Sequence, residues 1–513
     1  MILSESKNVI RIAFLLIILI GSVVSVSSDS QSPIVVSSSG SIHYLPQIQI
    51  AVDFNEAIAV NNLSLGVMLD WEWKSWLDRP TLREKAASAN FKLIRLFDFR
   101  IKPCVYWNES SATGVYNWTV FDALLQSIFE TGAEPMITIG YYYGQEPRIP
   151  AGMAVNPDTS LPYPESFGAY AADLARHFRS VGLRVKYWEI WNEPSSYFFE
   201  KTENGRVMWG VSNTTRLKAF VELFNEVSRC MHEVDQEALL GTDASLYKSF
   251  LDYFVQYGQG VGFLSFHKYD AWGTWLSDPK GYLGDKKVLR RADSIGGDYW
   301  TYTAQEASQL WHEIRGANLP VICSETNLNS AWNMGTDLRI QQIIGAVWYA
   351  EMVRTFILSG VTYSIYYSFA SNDAPRWDTT KQTRGFGFGM VNVTEPHEEW
   401  YPCLVNYLLG NHLGLGDKVF YAFTSNFSST SVLAWIHNEE YKILINNRVP
   451  NAAKVRLQFL GIEENSGMKT TIYKVDSVRA QHTLQIGNAS FSNILDVITE
   501  GYALILLSFS SLP

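Results

Sequence analysis

Two glutamates stand at the ends of short runs of β-branched and aromatic residues: Glu193 closes KYWEIWNE and Glu325 closes VICSE before Thr326 and Asn327. A pair of carboxyls on different strand ends has the chemistry to cut a glycosidic bond. One, protonated, helps the departing oxygen; the other, ionised, attacks the anomeric carbon, and roughly 5 Å separates them when the configuration is retained. These roles demand unlike pKa values, so burial and a negative neighbour are expected to keep Glu193 protonated while hydrogen-bond donors keep Glu325 ionised. Other catalytic constellations find no support. There is no GxSxG elbow, no HExxH helix, no GxxxxGK[ST] loop and no Rossmann fingerprint after the first predicted strand. The cysteines, Cys104, Cys230, Cys323 and Cys403, lack CxxC or His-linked spacing, which speaks against a zinc site. Cys323 falls inside a predicted strand, where a buried free thiol is expected. No cofactor is implied.

The two glutamates need elements that aim them at one point. From residue 65 onward, strand-like runs alternate with amphipathic stretches, the pattern of a parallel sheet covered by helices. Eight strands are predicted, at 64–71, 92–98, 134–141, 186–193, 237–243, 262–269, 320–327 and 361–369. Helices between them include TVFDALLQSIFETG, with apolar residues at helical spacing and a terminal Gly, and PESFGAYAADLARHFRSVG, which opens on Pro. Eight β/α repeats specify an α/β fold of the (β/α)8 TIM-barrel kind, whose active site lies at the carboxyl ends of the strands. Glu193 then ends strand four and Glu325 ends strand seven. Beyond Gly416 the texture becomes strand-like with little helix, which reads as a β-sandwich. The expected division is a targeting segment over 1–27, N-terminal β-strands over 28–59, a catalytic barrel over 60–412 and a β-sandwich over 413–513. SPIVVSSSGSIHYLP (32–46) reads as two short strands that either join the sandwich or close the barrel floor.

With Asn192-Glu193 at the fourth strand and Glu325 at the seventh, the chain resembles the clan of retaining glycoside hydrolases on TIM barrels. WEIWNEP and SETN look most like glycoside hydrolase family 39, which contains β-xylosidases and α-L-iduronidases, with family 5 the nearest rival. The resemblance implies that Glu193 is acid/base, Glu325 nucleophile and Asn192 a partner of the sugar 2-hydroxyl. It places an Arg beside the nucleophile, for which Arg95 is favoured and Arg100 competes. It also puts a Tyr on strand six, here Tyr269, as a donor to the nucleophile. His267 beside it is either a site residue or a satisfied structural histidine, and Asp98 either bonds a sugar hydroxyl or pairs with an Arg. Many clan members carry a Trp at the end of strand eight. Here the strand reads SIYYSFASN, so Tyr366, Tyr367 or Phe369 takes that place, with Tyr366 favoured as a substrate-binding residue.

Sugars present flat CH-rich faces that stack on exposed rings. Trp71 and Trp73, Tyr141, Tyr142 and Tyr143, Trp272 and Trp275, and Trp377 follow predicted strands. Trp71 and Tyr141 are the favoured platforms. The whole chain of 513 residues is 14% aromatic, with 17 Trp and 27 Tyr, and its net charge of −10 without a basic stripe disfavours nucleic acid as a partner. Lys7 and Arg11 precede an apolar stretch, Ile12 to Val26, which reads as a signal peptide or an uncleaved membrane anchor. Export is in line with seven N-x-[ST] triplets, at Asn62, Asn108, Asn117, Asn213, Asn392, Asn426 and Asn488. A secreted or surface glycosidase acting on oligo- or polysaccharides is therefore expected, exo-acting and β-xylosidase-like in the first reading. An endo-acting glucanase or mannanase on the same barrel is the second, and a catalytically silent carbohydrate-binding surface protein the third.

Overall fold

A computed structural model describes residues 35–36, 42–43, 45–143, 146–203, 207–273, 283–330, 337–371, 387–462, 468–477, 485–490 and 494–510. The targeting segment expected over 1–27 and the sequence around Trp275 and Trp377 lie outside them. The chain divides into two units, Met1–Gln47 and Ile48–Pro513. In the first, Val35–Val36 pairs antiparallel with Ile42–His43, so the hairpin read from the Ser/Gly turn is a two-stranded sheet of its own.

The second unit is built on eight parallel strands: β1 (Ser64–Leu69), β2 (Leu93–Phe97), β3 (Glu134–Tyr143), β4 (Tyr187–Asn192), β5 (Leu239–Gly241), β6 (Leu264–Ala271), β7 (Val321–Asn329) and β8 (Tyr363–Tyr366). Each overlaps a predicted strand. Their order in the curled sheet is β5-β4-β3-β2-β1-β8-β7-β6, so first and eighth are neighbours. Between β5 and the start of β6 a parallel bridge joins Leu240 to Val261, and the Leu240 carbonyl accepts from Gly262 N–H at 2.7 Å and from Phe263 N–H at 3.3 Å.

Alternation along these strands sends side chains to two layers. Met68, Leu93, Met136, Tyr187, Phe263, Ile322 and Ile365 pack inside the curl, while Leu69, Ile94, Ile137, Trp188 and Tyr366 join the larger core under the helices. The helices bury the faces their sequences prescribe. Thr119–Phe129 turns in Phe121, Leu124, Leu125 and Ile128. Thr214–Val234 starts where the Asn213 side chain accepts from Arg216 N–H. Ala304–Arg315 carries a capping box of Thr303 and Glu306 and stops at Gly316, whose φ of 71° suits a residue without a Cβ.

The C-terminal region departs from the expected boundaries. It is one nine-stranded sheet, and its third strand from one edge is Gln47–Val60, lodged between Lys418–Thr424 and Ala453–Leu460. The sheet folds over its own core: Phe459 on Ala453–Leu460 meets Phe509 on Ala503–Ser510, five places away in the strand order, with ring centroids 5.2 Å apart. Period-two alternation gives Ile443, Ile445, Ile505 and Leu507 to this core, and Leu444, Trp435, Leu504 and Leu506 to the core shared with the parallel sheet. At that seam Glu351, fully buried on the helix Ile343–Leu358, accepts from Asn446 Nδ2 at 3.1 Å, Ser431 Oγ and Arg354 Nε at 2.7 Å. Arg448 lies 3.7 Å from it and pairs with Asp293 at 2.6 Å. All four cysteines are unpaired, Cys323 and Cys403 fully buried. Among the described residues no helix is long and apolar enough to cross a membrane.

Candidate active site

At the carboxyl ends of the strands a cleft of about 1150 Å³ is lined by Asn192, Glu193, Tyr269 and Glu325, with Trp71, Tyr141 and Tyr367 on its walls. A smaller hollow of about 500 Å³, bordered by Glu134, Lys186 and Glu237, opens at the strand starts, the face of such folds that serves stability.

Local backbone irregularities aim the two glutamates. Trp191 on β4 and Glu193 just past its end adopt φ of 70° and 50°, left-handed values that cost an L residue energy and recur at functional sites. Gly140 on β3 makes room for Trp191: a Cβ there would sit 2.5 Å from the Trp191 ring. Glu193 N–H is held by Asp243 Oδ2 at 2.6 Å. On β7 the ladder with β6 slips between Phe266 and His267, so His267 comes opposite Glu325, a bulge of the kind that re-aims a side chain.

Arg95, on β2 and fully buried, is the hub. Its Nη1 donates to Glu325 Oε2 at 3.0 Å, Nη2 to Asn192 Oδ1 at 2.7 Å, and Nε to Glu189 Oε2 at 2.9 Å. Glu189 also accepts from Thr138 and Ser265 hydroxyls at 2.9 and 2.8 Å, which satisfies a carboxylate with no access to water. The Tyr269 hydroxyl donates to Glu325 Oε1. His267 stands between the carboxylates: Nδ1 is 3.2 Å from Glu193 Oε1, and Nε2 is 3.1 Å from Asp243 Oδ2 and 3.6 Å from Glu325 Oε2. Arg100, the competitor of Arg95, instead pairs with Asp70 and lies 3.4 Å over the Trp71 ring.

The electrostatics reverse one expectation. Burial lifts the Glu325 carboxyl above its ordinary range, although His267, Arg95 and Tyr269 pull against it. For Glu193, half exposed in the cleft, partial desolvation is outweighed by the bond and charge of His267, with Arg95 adding to them, and its pKa is lowered. The cause is His267 itself: burial opposes its charge, but Glu325, Asp243 and the bond to Glu193 prevail and raise it to about 9. The proton expected on Glu193 thus sits on its hydrogen-bond partner. Burial also raises Asp243 to about 7.

The structure brings Glu193, Glu325, Asn192, Arg95, His267, Tyr269, Trp71 and Tyr141 to this one place. Trp71 is 52% exposed, and Tyr141 stacks on Phe99 at 4.9 Å. Tyr366 is a correction. It is fully buried in the outer core against Tyr349, because Ile365 occupies the inward position of β8 and alternation sends Tyr366 outward. Tyr367 faces the cleft instead and donates to Asp70 Oδ2 at 2.8 Å. Asp98 pairs with the Tyr170 hydroxyl at 2.7 Å rather than with an Arg. The side chains of Tyr142 and Tyr143, with Trp275 and Trp377, fall outside the described residues. Sequence reasoning passed over Glu189, Asp243 and Asp70. Their signals are an acid inside the apolar run YWEIW, an acid closing the predicted fifth strand and one next to the end of the predicted first. Among the described residues no group of three His, Cys, Asp or Glu is arranged to hold a metal ion.

No family model and no curated protein sequence matches the chain. Solved structures do match. A monomeric β-xylosidase from Caulobacter crescentus aligns with TM-score 0.63 at 15% identity, over 91% of this chain and all of the other. A GH39 enzyme from Xanthomonas axonopodis pv. citri aligns with TM-score 0.63 at 15% identity, over 93% and 100%. A GH51 α-L-arabinofuranosidase from Thermotoga petrophila gives 0.60 at 13%, over 90% and 99%. The likeness extends across both sheets, and it is a likeness of fold.

Proposed function

We propose that the chain is a retaining glycoside hydrolase on a closed (β/α)8 barrel, exo-acting and β-xylosidase-like, working on oligo- or polysaccharides outside the cell. The observation that carries this reading is the unequal treatment of two carboxylates on one cleft: Glu325 is gripped by Arg95 and Tyr269, while Glu193 reaches the cleft with half its side chain exposed. A gripped carboxylate is positioned to attack, and an exposed one next to a proton source is positioned to exchange protons. Glu325 attacks the anomeric carbon and forms a glycosyl ester as Glu193 protonates the leaving oxygen. Water then enters, gives its proton to Glu193 and releases the sugar with its configuration retained. Asn192, fixed by Arg95, is placed to bond the 2-hydroxyl, and Trp71 and Tyr141 offer ring faces to the sugar.

Support for the substrate class comes from the fold shared with a β-xylosidase and an arabinofuranosidase. Support for export comes from the exposed positions of Asn62, Asn108, Asn117 and Asn426. The test is hydrolysis of aryl β-glycosides and polysaccharides by wild type, Glu193→Ala and Glu325→Ala, with azide added to each variant. A β-glycosyl azide from Glu193→Ala and an α-azide from Glu325→Ala assign the roles; binding of sugars without hydrolysis by wild type returns the silent-lectin reading.

A further inference from the structure

Asp243 follows β5 by two residues and is 6% exposed, yet only one of its oxygens is engaged. Oδ2 accepts the Glu193 backbone N–H at 2.6 Å and lies at ion-pair distance, 3.1 Å, from His267 Nε2; Asp243 Oδ1 and His267 Nε2 are both buried without a hydrogen-bond partner. A structural aspartate is ordinarily satisfied on both oxygens; this one is spent on the residue that carries the proton and on that residue's neighbour. We propose that Asp243 is a positioning residue of the proton donor, holding Glu193 in its left-handed conformation and facing His267 Nε2, so that His267 Nδ1 is the atom that exchanges a proton with Glu193 Oε1. This rests on the reading of Glu193 as acid/base.

The relay balances. Protonated His267 gives its Nδ1 proton to Glu193 Oε1 and becomes neutral, with its remaining proton on Nε2, the nitrogen 3.1 Å from Asp243 Oδ2. Glu193 passes the received proton to the leaving oxygen and returns to carboxylate. In the second half-reaction the water proton taken by Glu193 goes back to Nδ1. The groups facing His267 are Glu189 and Glu193 from β4, Glu325 from β7, Arg95 from β2 and Asp243. Tyr141 from β3, and Tyr247 just after β5, adjoin the carboxylates. Asp243 is the acid among them that also fixes the Glu193 backbone.

Asp243→Asn preserves shape and an acceptor for Glu193 N–H, but removes the charge and turns either an amide donor or a neutral oxygen toward His267. Removing a negative neighbour lowers the His267 pKa, so its proton is lost at lower pH. The alkaline limb of kcat/KM is expected to fall by about one pH unit, and hydrolysis of poorly activated glycosides to drop at least ~10-fold more than that of dinitrophenyl glycosides, which need little acid assistance. Equal losses on both substrates with an unmoved alkaline limb would overturn the proposal. A second measurement uses the unaltered chain: ¹⁵N-histidine spectra, with His267 assigned by its loss in His267→Gln. A neutral ring protonated on Nε2 and titrating well above 7 is expected; an Nδ1-protonated ring with an ordinary pKa refutes it. A wild type inert toward every glycoside, while the spectra show the expected tautomer, sinks the glycosidase reading and leaves the Asp243–His267 geometry standing.

Discussion

Replacing Tyr269 by Phe removes one oxygen and nothing else from the site. The ring stays in place on β6, and Glu325 keeps its bond from Arg95 Nη1 at 3.0 Å. What goes is a donor to a carboxylate whose side chain is only 12% exposed, where a hydrogen bond to a charged group is worth about 1.5–3 kcal/mol. At 1.36 kcal/mol per decade, that is a fall in kcat/KM of roughly 10- to 150-fold. The direction with pH is fixed as well. The Tyr269 bond lowers the Glu325 pKa, so its loss raises that pKa, and a carboxylate that attacks only when ionised, the role proposed for Glu325, is lost at higher pH than before. The acidic limb of the kcat/KM profile therefore moves up while the alkaline limb stays. Initial rates on an activated aryl glycoside across the pH range, with thermal melting to show an intact fold, measure both. A variant within twofold of wild type, or one whose acidic limb does not move, would refute the assignment of Glu325 as the nucleophile steadied by Tyr269.

Trp71→Ala strips a ring that is 52% exposed and stacked under Arg100; KM is expected to rise by about tenfold with kcat nearly kept, as for loss of a sugar platform worth ~1–1.5 kcal/mol. A fall in kcat alone would place Trp71 outside the subsites. Glu351→Ala leaves the amide of Asn446 and the guanidinium of Arg354 without their buried acceptor, so urea unfolding should show a loss of about 3–5 kcal/mol. A change below ~1 kcal/mol would mean that the seam between the two sheets does not depend on it.

Much of the curled parallel sheet was legible because parallel strands buried on both faces read as continuous apolar runs. KLIRLFD and VICSETN carry that signal without help from the rest of the chain. Position along the strand made Glu193 and Glu325 legible too, since a polar residue ending such a run has to face the strand mouth. Tyr366 shows where this stops: deciding which of three successive aromatics turns inward needs the register of β8, and a one-residue slip exchanges the faces. Glu189 was hidden by its setting, because an acid inside YWEIW is intelligible only once Arg95 from another strand is beside it. The proton order at Glu193 and Glu325 was hidden in the same way, being set by His267 from another strand. The role of Gln47–Val60 was equally out of reach, since a ladder partner some 360 residues away leaves no local mark.

That strand also sets a timetable. Gln47–Val60 leaves the ribosome well before Lys418–Thr424, the neighbour it pairs with. At 5–20 residues per second the wait is roughly 20–70 s. Throughout it the segment is an unpaired edge, rich in alternating apolar residues, which invites wrong partners. Its acidic residues, Asp53 and Glu56, are the kind of charge that discourages such pairing. Removing the C-terminal region at a boundary near residue 413 would make the wait permanent. The chain's two sheets are therefore one unit of synthesis, and cutting the parallel sheet free of the other requires that residues 47–60 be removed along with the sheet they complete.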